Sequence, residues 1–173
     1  MTSVRRWWDE QALPRLVDVA LADATSGTWR TTVCVGATGE VLEIGFGSGR
    51  NLPYYGDTVT RVLAVEPADL AWARAKARVT ASGMPVTRVG LDGADLPVPD
   101  ASVDTVVSTW TLCTVPGVER ALHEARRVLR PGGQLRFVEH SAAPSRRVAG
   151  IQRRIQPLWG RVAGGCHVDR DIA

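Results

Sequence analysis

The sequence contains 173 residues, of which 45% are hydrophobic, and carries a formal net charge of +3 at pH 7. This length suits one domain with its own core, and no apolar run approaches the ~18 residues of a membrane span. The opening residues lack the apolar stretch of a secretory signal, and the three cysteines form no C-x-x-C pair of the kind found in zinc sites. The composition therefore predicts a cytoplasmic protein without a metal site or a disulfide framework.

The charge is distributed unevenly along the chain. Residues 1–125 hold 11 basic and 15 acidic side chains, whereas residues 126–173 hold 10 basic and 3 acidic ones. This asymmetry fits either an anionic partner surface or mutual neutralisation of the two halves within the fold. The second interpretation is favoured. Nucleic acid is not an expected partner, because the basic residues are not interleaved with aromatic ones in a stripe.

The first predicted element is an amphipathic helix over Val4–Asp23, interrupted at Pro14. The segment from Trp29 to Gly39 is expected to lead into the first strand. Residues 1–40 would then form a helical cap ahead of the sheet. Two positions for this cap stay open: it lies over a bound ligand, or it packs against the edge of the sheet.

A glycine-rich loop follows the first predicted strand, Val41–Ile44, in the stretch V-L-E-I-G-F-G-S-G-R-N. Glycine permits positive φ and a close approach to a ligand, and a helix after such a turn directs unpaired N–H groups at that ligand. The dinucleotide pattern G-x-G-x-x-G would need a third glycine where Arg50 stands. The spacing is instead E-x-G-x-G-x-G, beginning at Glu43. The helix that follows is expected to break early, at Pro53.

The second predicted strand, Arg61–Val65, ends in Glu66 and Pro67. Glu66 lies 21 residues after Gly45, where a nucleotide-binding βαβ unit places the acid that accepts hydrogen bonds from ribose hydroxyls. The alternative role for Glu66 is to cap the predicted helix Ala68–Thr80. The register with the glycine loop favours the ribose role.

The third predicted strand, Pro85–Gly90, leads to a turn that contains Asp92, Gly93 and Asp95. An acid here can accept a hydrogen bond from the amino group of an adenine. A small neighbouring residue lets a backbone N–H donate a hydrogen bond to a ring nitrogen of the adenine. Asp92 with Gly93 is the preferred pair and Asp95 is the rival. Each of these acids can also serve as an ordinary turn former.

The remaining predicted elements are a fourth strand, Val103–Ser108, a helix, Val118–Leu129, and a fifth strand, Gln134–Val138. The alternation predicts an α/β fold with a Rossmann-like, doubly wound, mostly parallel sheet. Ligands in such folds bind beyond the carboxyl ends of the strands. The residues expected at that edge are Gly45, Glu66, Asp92, Thr109 and His140.

Four segments together carry a family resemblance. They read V-L-E-I-G-F-G-S-G-R-N-L-P-Y-Y, A-V-E-P, L-P-V-P-D-A-S-V-D-T-V-V-S-T-W-T-L-C-T-V and R-R-V-L-R-P-G-G-Q-L-R-F-V-E-H. They resemble class I S-adenosylmethionine-dependent methyltransferases over most of the chain. The generic pieces are also similar to quinone C-methyltransferases, whereas L-C-T-V, E-H and the tail Q-R-R-I-Q-P-L-W-G-R-V-A-G-G-C-H-V-D-R-D resemble the methyltransferase-like thiol S-methyltransferase branch. Eukaryotic members of that branch begin with a membrane-anchoring apolar segment, and this chain begins with an arginine-rich one.

The resemblance implies S-adenosylmethionine as cofactor, with S-adenosylhomocysteine as its product, and a small, apolar acceptor. It divides the single domain into a cap at 1–40, a cofactor-binding core at 41–140 and a basic C-terminal segment at 141–173. The residues it assigns to the cofactor are Glu43, Gly45, Gly47, Gly49, Asn51, Glu66, Pro67, Asp92, Gly93, Thr109 and Trp110.

Methyl transfer from a sulfonium is an in-line displacement, in which held geometry can supply ~7–11 kcal/mol of the barrier. A thiol acceptor with a pKa of about 8.5 gains from deprotonation. His140 is the predicted base with Glu139 as its orienter, and a structural role at the strand end is the alternative for His140. His167 is a second candidate base, and Cys113 is expected to be a packed apolar residue. The rival function class is a cofactor-binding module without turnover.

Only 33 residues follow His140, whereas class I methyltransferases usually add two further strands after the fifth. The fifth strand is therefore expected to form an exposed sheet edge. Two explanations stay open: the chain is a C-terminally shortened form, or a second copy covers the edge in a homodimer. The segment Arg146–Arg154 belongs to a predicted helix with an apolar face, which suits either a peripheral membrane contact or cover for the sheet. Cover for the sheet is the favoured interpretation.

Overall fold

The computed structural model describes residues 7–171, apart from the side chains of Asp9 and Asp23. A π-helical turn, Trp8–Ala12, opens this part of the chain. The helices are α1 (Leu13–Ala20), α2 (Asp23–Cys34), α3 (Asp69–Ser82), α4 (Val118–Val128) and α5 (Arg146–Val162). The strands are β1 (Gly39–Ile44), β2 (Val59–Val65), β3 (Val86–Gly90), β4 (Val103–Thr109) and β5 (Leu129–Val138).

The five strands form one sheet in the order β3-β2-β1-β4-β5, and all neighbouring strands are parallel. Consecutive residues of a strand point to opposite sides, so Val41 packs into one hydrophobic cluster and Leu42 into another. Cys34 of α2 and Ala75 of α3 join the first cluster, and Ala125 of α4 joins the second. Helices thus cover both sides of the sheet, which confirms the predicted α/β fold.

The N-terminal part differs from the single helix predicted over Val4–Asp23. The π-helical turn and α1 occupy its described portion, and a separate helix, α2, fills most of the segment expected to lead into β1. Ala12 and Leu13 both have helical φ and ψ, so the π-helical turn continues directly into α1. Pro14 lies just after this junction, where the π-helical geometry changes to α-helical, and it does not break the helix. The beginning of the predicted helix, before Trp7, lies outside the described residues.

The prediction of an α-helix directly after the glycine loop is wrong. Only a short 3₁₀ turn, Leu52–Tyr54, follows the loop, and the backbone becomes extended at Tyr55. Pro53 lies inside this turn and offers no N–H to a longer helical ladder. The loop therefore presents no α-helical N-terminus to a ligand.

Strand β5 begins at Leu129, five residues earlier than Gln134, its predicted start. Leu129 lies opposite Val103 and Gln134 lies opposite Thr105, so the segment between them bulges out of register. Within residues 7–171, β5 is an edge strand and no strand follows it. This agrees with the predicted edge. Cover of that edge by a second copy stays a prediction.

Helix α5 continues through Pro157 and contains no buried residue. The favoured interpretation of this segment as cover for the sheet is therefore wrong. Its exposed apolar residues are Val148, Ile151, Ile155, Leu158, Trp159 and Val162. None of the described helices is both long enough and apolar enough to cross a bilayer.

Candidate cofactor site

A cavity of about 280 Å³ opens at the carboxyl ends of β1, β2 and β4. Its floor contains Gly45, Gly47, Glu66, Pro67, Thr109 and Trp110, which are six of the residues assigned to the cofactor. Helix α1 supplies the facing apolar wall through Leu13, Pro14 and Val17, with Leu21 directly after it. The structure therefore places the N-terminal cap over the cavity.

The start of the glycine loop accepts only glycine. Gly45 has a φ of +77°, and a Cβ on it would collide with the side chain of Thr111. The backbone N–H groups of Gly45 and Phe46 both donate to the carbonyl of Val65, at 2.9 and 3.1 Å. These bonds fold the loop back over the end of β2 and leave open space beside it.

Glu66 joins the glycine loop to the start of α3. Its Oε2 accepts a hydrogen bond from the N–H of Gly47 and its Oε1 accepts one from Ala68, each at 2.7 Å. Burial raises the pKa of Glu66, although these two bonds favour its ionised form. The side chain thus holds the glycine loop and the residue that precedes α3, and it also lines the cavity. Its contact with ribose hydroxyls stays a prediction.

Two residues assigned to the cofactor, Glu43 and Asn51, lie beneath the loop rather than in the cavity lining. The carboxylate of Glu43 accepts hydrogen bonds from Asn51 Nδ2 at 2.9 Å and from the Tyr55 hydroxyl at 2.6 Å. Burial raises the pKa of Glu43 to about 7, despite the Tyr55 hydrogen bond and the charge of Arg30. Both residues are fully buried, and their role in this structure is to support the loop.

Arg30 of α2 was not indicated by the sequence. It is only 4% exposed, and its Nη1 donates to Asn51 Oδ1 at 2.5 Å and lies 3.4 Å from Thr109 Oγ1. Its guanidinium carbon lies 5.0 Å from the centroid of the Trp110 ring, in cation–π geometry. Trp110 has a φ of +53°, which is unusual for a bulky residue. Arg30 therefore fixes the cavity wall at the end of β4.

Asp18 of α1 is the second residue that sequence reasoning missed. It accepts hydrogen bonds from Ser48 Oγ at 2.5 Å, Arg50 Nε at 2.7 Å and Arg74 Nη2 at 2.5 Å. Burial raises its pKa, but these bonds and the charge of Arg50 outweigh burial and hold the pKa of Asp18 well below its usual range. One carboxylate thus ties the cap to the glycine loop and to α3.

Asp92 and Gly93 do not line the cavity. Asp92 is exposed, and its Oδ1 accepts a hydrogen bond from the N–H of Ala94 at 2.8 Å, as in an ordinary Asx turn. A Cβ on Gly93 would lie 2.7 Å from Ile44 Cγ2, so glycine permits close packing against β1. The structure shows the turn-forming role, and the contact with adenine stays a prediction.

Glu139 does not orient His140. Its Oε1 accepts hydrogen bonds from Ser108 Oγ, Thr111 N and Leu112 N at 2.8 to 2.9 Å, and its Oε2 accepts one from Cys113 N at 3.2 Å. The carboxylate is used to hold the end of β4 and the turn after it, because one partner lies in β4 and the other three follow that strand. The interpretation of Glu139 as the orienter of a base is therefore wrong for this structure.

His140 also lies away from the cavity lining. Its Nδ1 is 3.6 Å from Cys113 Sγ and 3.5 Å from Cys166 Sγ. His167, the second candidate base, places its Nδ1 3.2 Å from Gln156 Nε2 and is not a lining residue either. Thus neither histidine is among the residues that line the cavity, and the role of His140 as a base stays a prediction.

The methyltransferase domain family matches residues 42–137, which is more than half of the chain. The chain therefore belongs to this family. The family and the fold imply S-adenosylmethionine as the cofactor. Two features of the cavity fit an adenosyl group with ribose hydroxyls. One is the glycine loop, in which Gly45 has no room for a Cβ, and the other is the carboxylate of Glu66.

Several known proteins are similar to this chain. Thiol S-methyltransferase TMT1B of Homo sapiens is 36% identical over 144 residues, covering 79% of this chain and 58% of the relative. Phosphatidylethanolamine N-methyltransferase of Cereibacter sphaeroides is 35% identical over 129 residues, covering 73% of this chain and 63% of the relative. Ubiquinone/menaquinone biosynthesis C-methyltransferase UbiE of Methylobacterium nodulans is 31% identical over 153 residues, covering 84% of this chain and 57% of the relative.

The chain thus spans less than two thirds of the length of these relatives. Among solved structures, a putative methyltransferase from Bacillus halodurans superposes with a TM-score of 0.70 at 21% identity, over 84% of this chain and 62% of that one. At this identity the similarity supports the fold alone.

Proposed function

We propose that the protein transfers the methyl group of S-adenosylmethionine to the sulfur of a small apolar thiol, giving a thioether and S-adenosylhomocysteine. The observation that carries this proposal is the composition of the cavity. One side holds the glycine loop and Glu66, and the other is an apolar wall formed by Leu13, Pro14 and Val17 of α1. The similarity to thiol S-methyltransferase TMT1B supports sulfur as the acceptor atom.

The cofactor, when bound, supplies an electrophilic methyl carbon on a sulfonium. The chain holds the cofactor and the acceptor in position and excludes water from them. Holding two reactants in a reactive geometry can by itself lower the activation barrier by ~7–11 kcal/mol. The apolar wall of α1 favours an acceptor without charge or hydrogen-bonding groups beyond the sulfur. Glu66 and the loop hold the adenosyl end on the opposite side.

A thiol acceptor also suits the ionisable groups of the cavity. The cysteine thiol has a free pKa of about 8.5, and a thiol of that acidity is already a few per cent thiolate at neutral pH. The thiol proton can therefore leave to solvent before transfer, without a histidine at the site. Arg30 and Arg50 line the cavity, and their positive charge favours the thiolate over the thiol.

The test is a comparison of acceptors with the purified chain and S-adenosylmethionine. The panel contains a short alkyl thiol, a quinol and phosphatidylethanolamine, with S-adenosylhomocysteine formation and product mass as readouts. We expect methylation of the thiol, at a rate that rises with pH as the thiolate fraction grows. Methylation of the quinol or the lipid but not of the thiol would contradict the proposal. Cofactor binding without any turnover would favour the non-catalytic alternative.

The second candidate is C-methylation of a quinone-type acceptor. The apolar wall would also accommodate a quinol ring, and the similarity to the UbiE enzyme favours this substrate class. Carbon methylation needs removal of a phenolic proton with a pKa of about 10. No histidine lines the cavity among the residues that the structure describes, so the thiol is preferred.

A further inference from the structure

Three side chains with metal-binding atoms, none of which lines the cavity, lie close together. Cys113 follows β4, His140 follows β5 and Cys166 follows α5. The two sulfur atoms lie 3.5 Å apart, and His140 Nδ1 lies 3.6 Å from Cys113 Sγ and 3.5 Å from Cys166 Sγ. Cys113 is fully buried and Cys166 is 5% exposed. The three donor atoms thus form a nearly equilateral triangle inside the protein.

This triangle has the dimensions of a tetrahedral zinc site. Zinc binds thiolate sulfur at about 2.3 Å and imidazole nitrogen at about 2.0–2.1 Å. Tetrahedral angles then separate two sulfur ligands by roughly 3.8 Å, and a sulfur from a nitrogen by roughly 3.6 Å. The observed separations lie within about 0.3 Å of these values. A disulfide would instead need the sulfur atoms at about 2.05 Å.

The backbones of the two cysteines are held by their neighbours. The N–H of Cys113 donates to Glu139, and its carbonyl accepts a hydrogen bond from the N–H of His167 at 2.8 Å. The carbonyl of Cys166 accepts one from Gln156 Nε2 at 3.0 Å. Such outer contacts orient ligands ahead of metal binding.

We propose that Cys113, Cys166 and His140 bind one zinc ion through the two Sγ atoms and Nδ1. Zinc is preferred among divalent cations because two thiolates and an imidazole are soft and borderline ligands. The described residues offer no fourth side-chain ligand, so the last position belongs to water or a small solute. The site joins the segment after α5 to the ends of β4 and β5. This inference does not depend on the proposed methyl acceptor.

The first test uses the purified chain, reduced and freed of metal. We expect it to bind zinc at about one equivalent and to melt at a higher temperature with zinc than without it. With Co²⁺ as the probe, we expect intense visible bands of a tetrahedral ion and a near-ultraviolet thiolate-to-metal band. Absence of stoichiometric zinc binding and of the thiolate band would overturn the proposal. A Cys113–Cys166 disulfide whose reduction yields no metal binding would also overturn it.

The second test uses matched variants. Cys34 is another fully buried cysteine, which belongs to the hydrophobic cluster that contains Val41 and not to the group of candidate ligands. We expect Cys113→Ser, Cys166→Ser and His140→Ala each to abolish the thiolate-to-Co²⁺ band or weaken Co²⁺ binding at least tenfold, whereas Cys34→Ala keeps both. Folding of each variant is checked by circular dichroism. A band that persists in both cysteine variants and disappears in Cys34→Ala would contradict the assignment.

Discussion

The carboxylate of Asp18 accepts a hydrogen bond from the hydroxyl of Ser48, 2.5 Å away, and so joins helix α1 to the glycine loop. The same carboxylate forms ion pairs with Arg50 and Arg74, whose side chains are 15% and 39% exposed. The wall and the floor of the cavity are therefore linked through one buried side chain. This link explains how a short amphipathic helix keeps a fixed position over the site.

We expect Asp18→Asn to lower the free energy of unfolding by about 2–3 kcal/mol, because hydrogen bonds to a charged group are lost. The pKa of Asp18 is lower in the folded protein than in the unfolded chain. The stabilisation is therefore complete above the ordinary carboxyl pKa of about 3.9, and it is lost as the pH falls below that value. Urea denaturation at several pH values measures the difference from wild type. The exposed Asp57→Asn is the control, and equal losses in both variants would contradict the assignment.

Glu43 leads to the opposite pH dependence. Its pKa is raised to about 7 by burial, above the unfolded value of about 4.3. The folded state thus binds the proton more tightly, so the stability of wild type relative to Glu43→Gln should decline as the pH rises from about 5 to 8. The side-chain oxygen of glutamine still accepts the hydrogen bond from Asn51, and its NH₂ group can donate a hydrogen bond to the Tyr55 hydroxyl. Parallel stability curves for the two proteins over this pH range would show that Glu43 does not titrate there.

Glu139 is expected to act on stability and not on catalysis. Glu139→Gln removes the acceptor for at least one N–H group of the turn after β4. The free energy of unfolding should therefore fall by about 1–3 kcal/mol. The pH profile of methyl transfer should keep its shape. Glu119→Gln, at an exposed position on α4, is the control for loss of a carboxylate. A shifted pH profile with unchanged stability would restore Glu139 as the orienter of a base.

The exposed apolar face of α5 leads to a prediction about surfaces. Val148, Ile151 and Ile155 lie on one face of a helix that also carries Arg146, Arg147, Arg153 and Arg154. Such a helix binds at an anionic interface, with about 1 kcal/mol per basic residue. We expect co-sedimentation with phosphatidylserine vesicles at low salt, and its loss in Ile151→Asp but not in Val19→Asp, a change at an exposed apolar position of α1. A wild-type chain that stays in the supernatant would refute this contact.

The sheet could be predicted from the sequence because its strands are short runs of β-branched and apolar residues bounded by turn signals. The runs Val59–Val65 and Val103–Thr109 are examples. The positions of the glycine loop and of Glu66 at the ends of β1 and β2 could also be predicted, because they depend on local register. The boundaries of β5 were missed because Pro131 and two glycines form a bulge rather than a turn outside the strand.

The supporting residues of the site could not be predicted, because their roles depend on partners distant in the chain. Asp18 meets Ser48 across 30 positions and Arg30 meets Thr109 across 79. Cys113 and Cys166 are 53 positions apart, so no local spacing marks them as a pair. Helix α2 was missed because its threonines, serine and glycine weaken the helical hydrophobic pattern.

Calorimetric titration of the chain with S-adenosylhomocysteine tests the central claim most directly, because it reports on the cavity without any acceptor. Wild type should bind one equivalent, and Glu66→Ala should weaken binding by roughly 10- to 150-fold, the equivalent of about 1.5–3 kcal/mol. Glu119→Ala, a change at an exposed residue that does not line the cavity, should bind as wild type does. Binding of NAD with no heat from either adenosyl ligand, or full affinity in Glu66→Ala, would contradict the account.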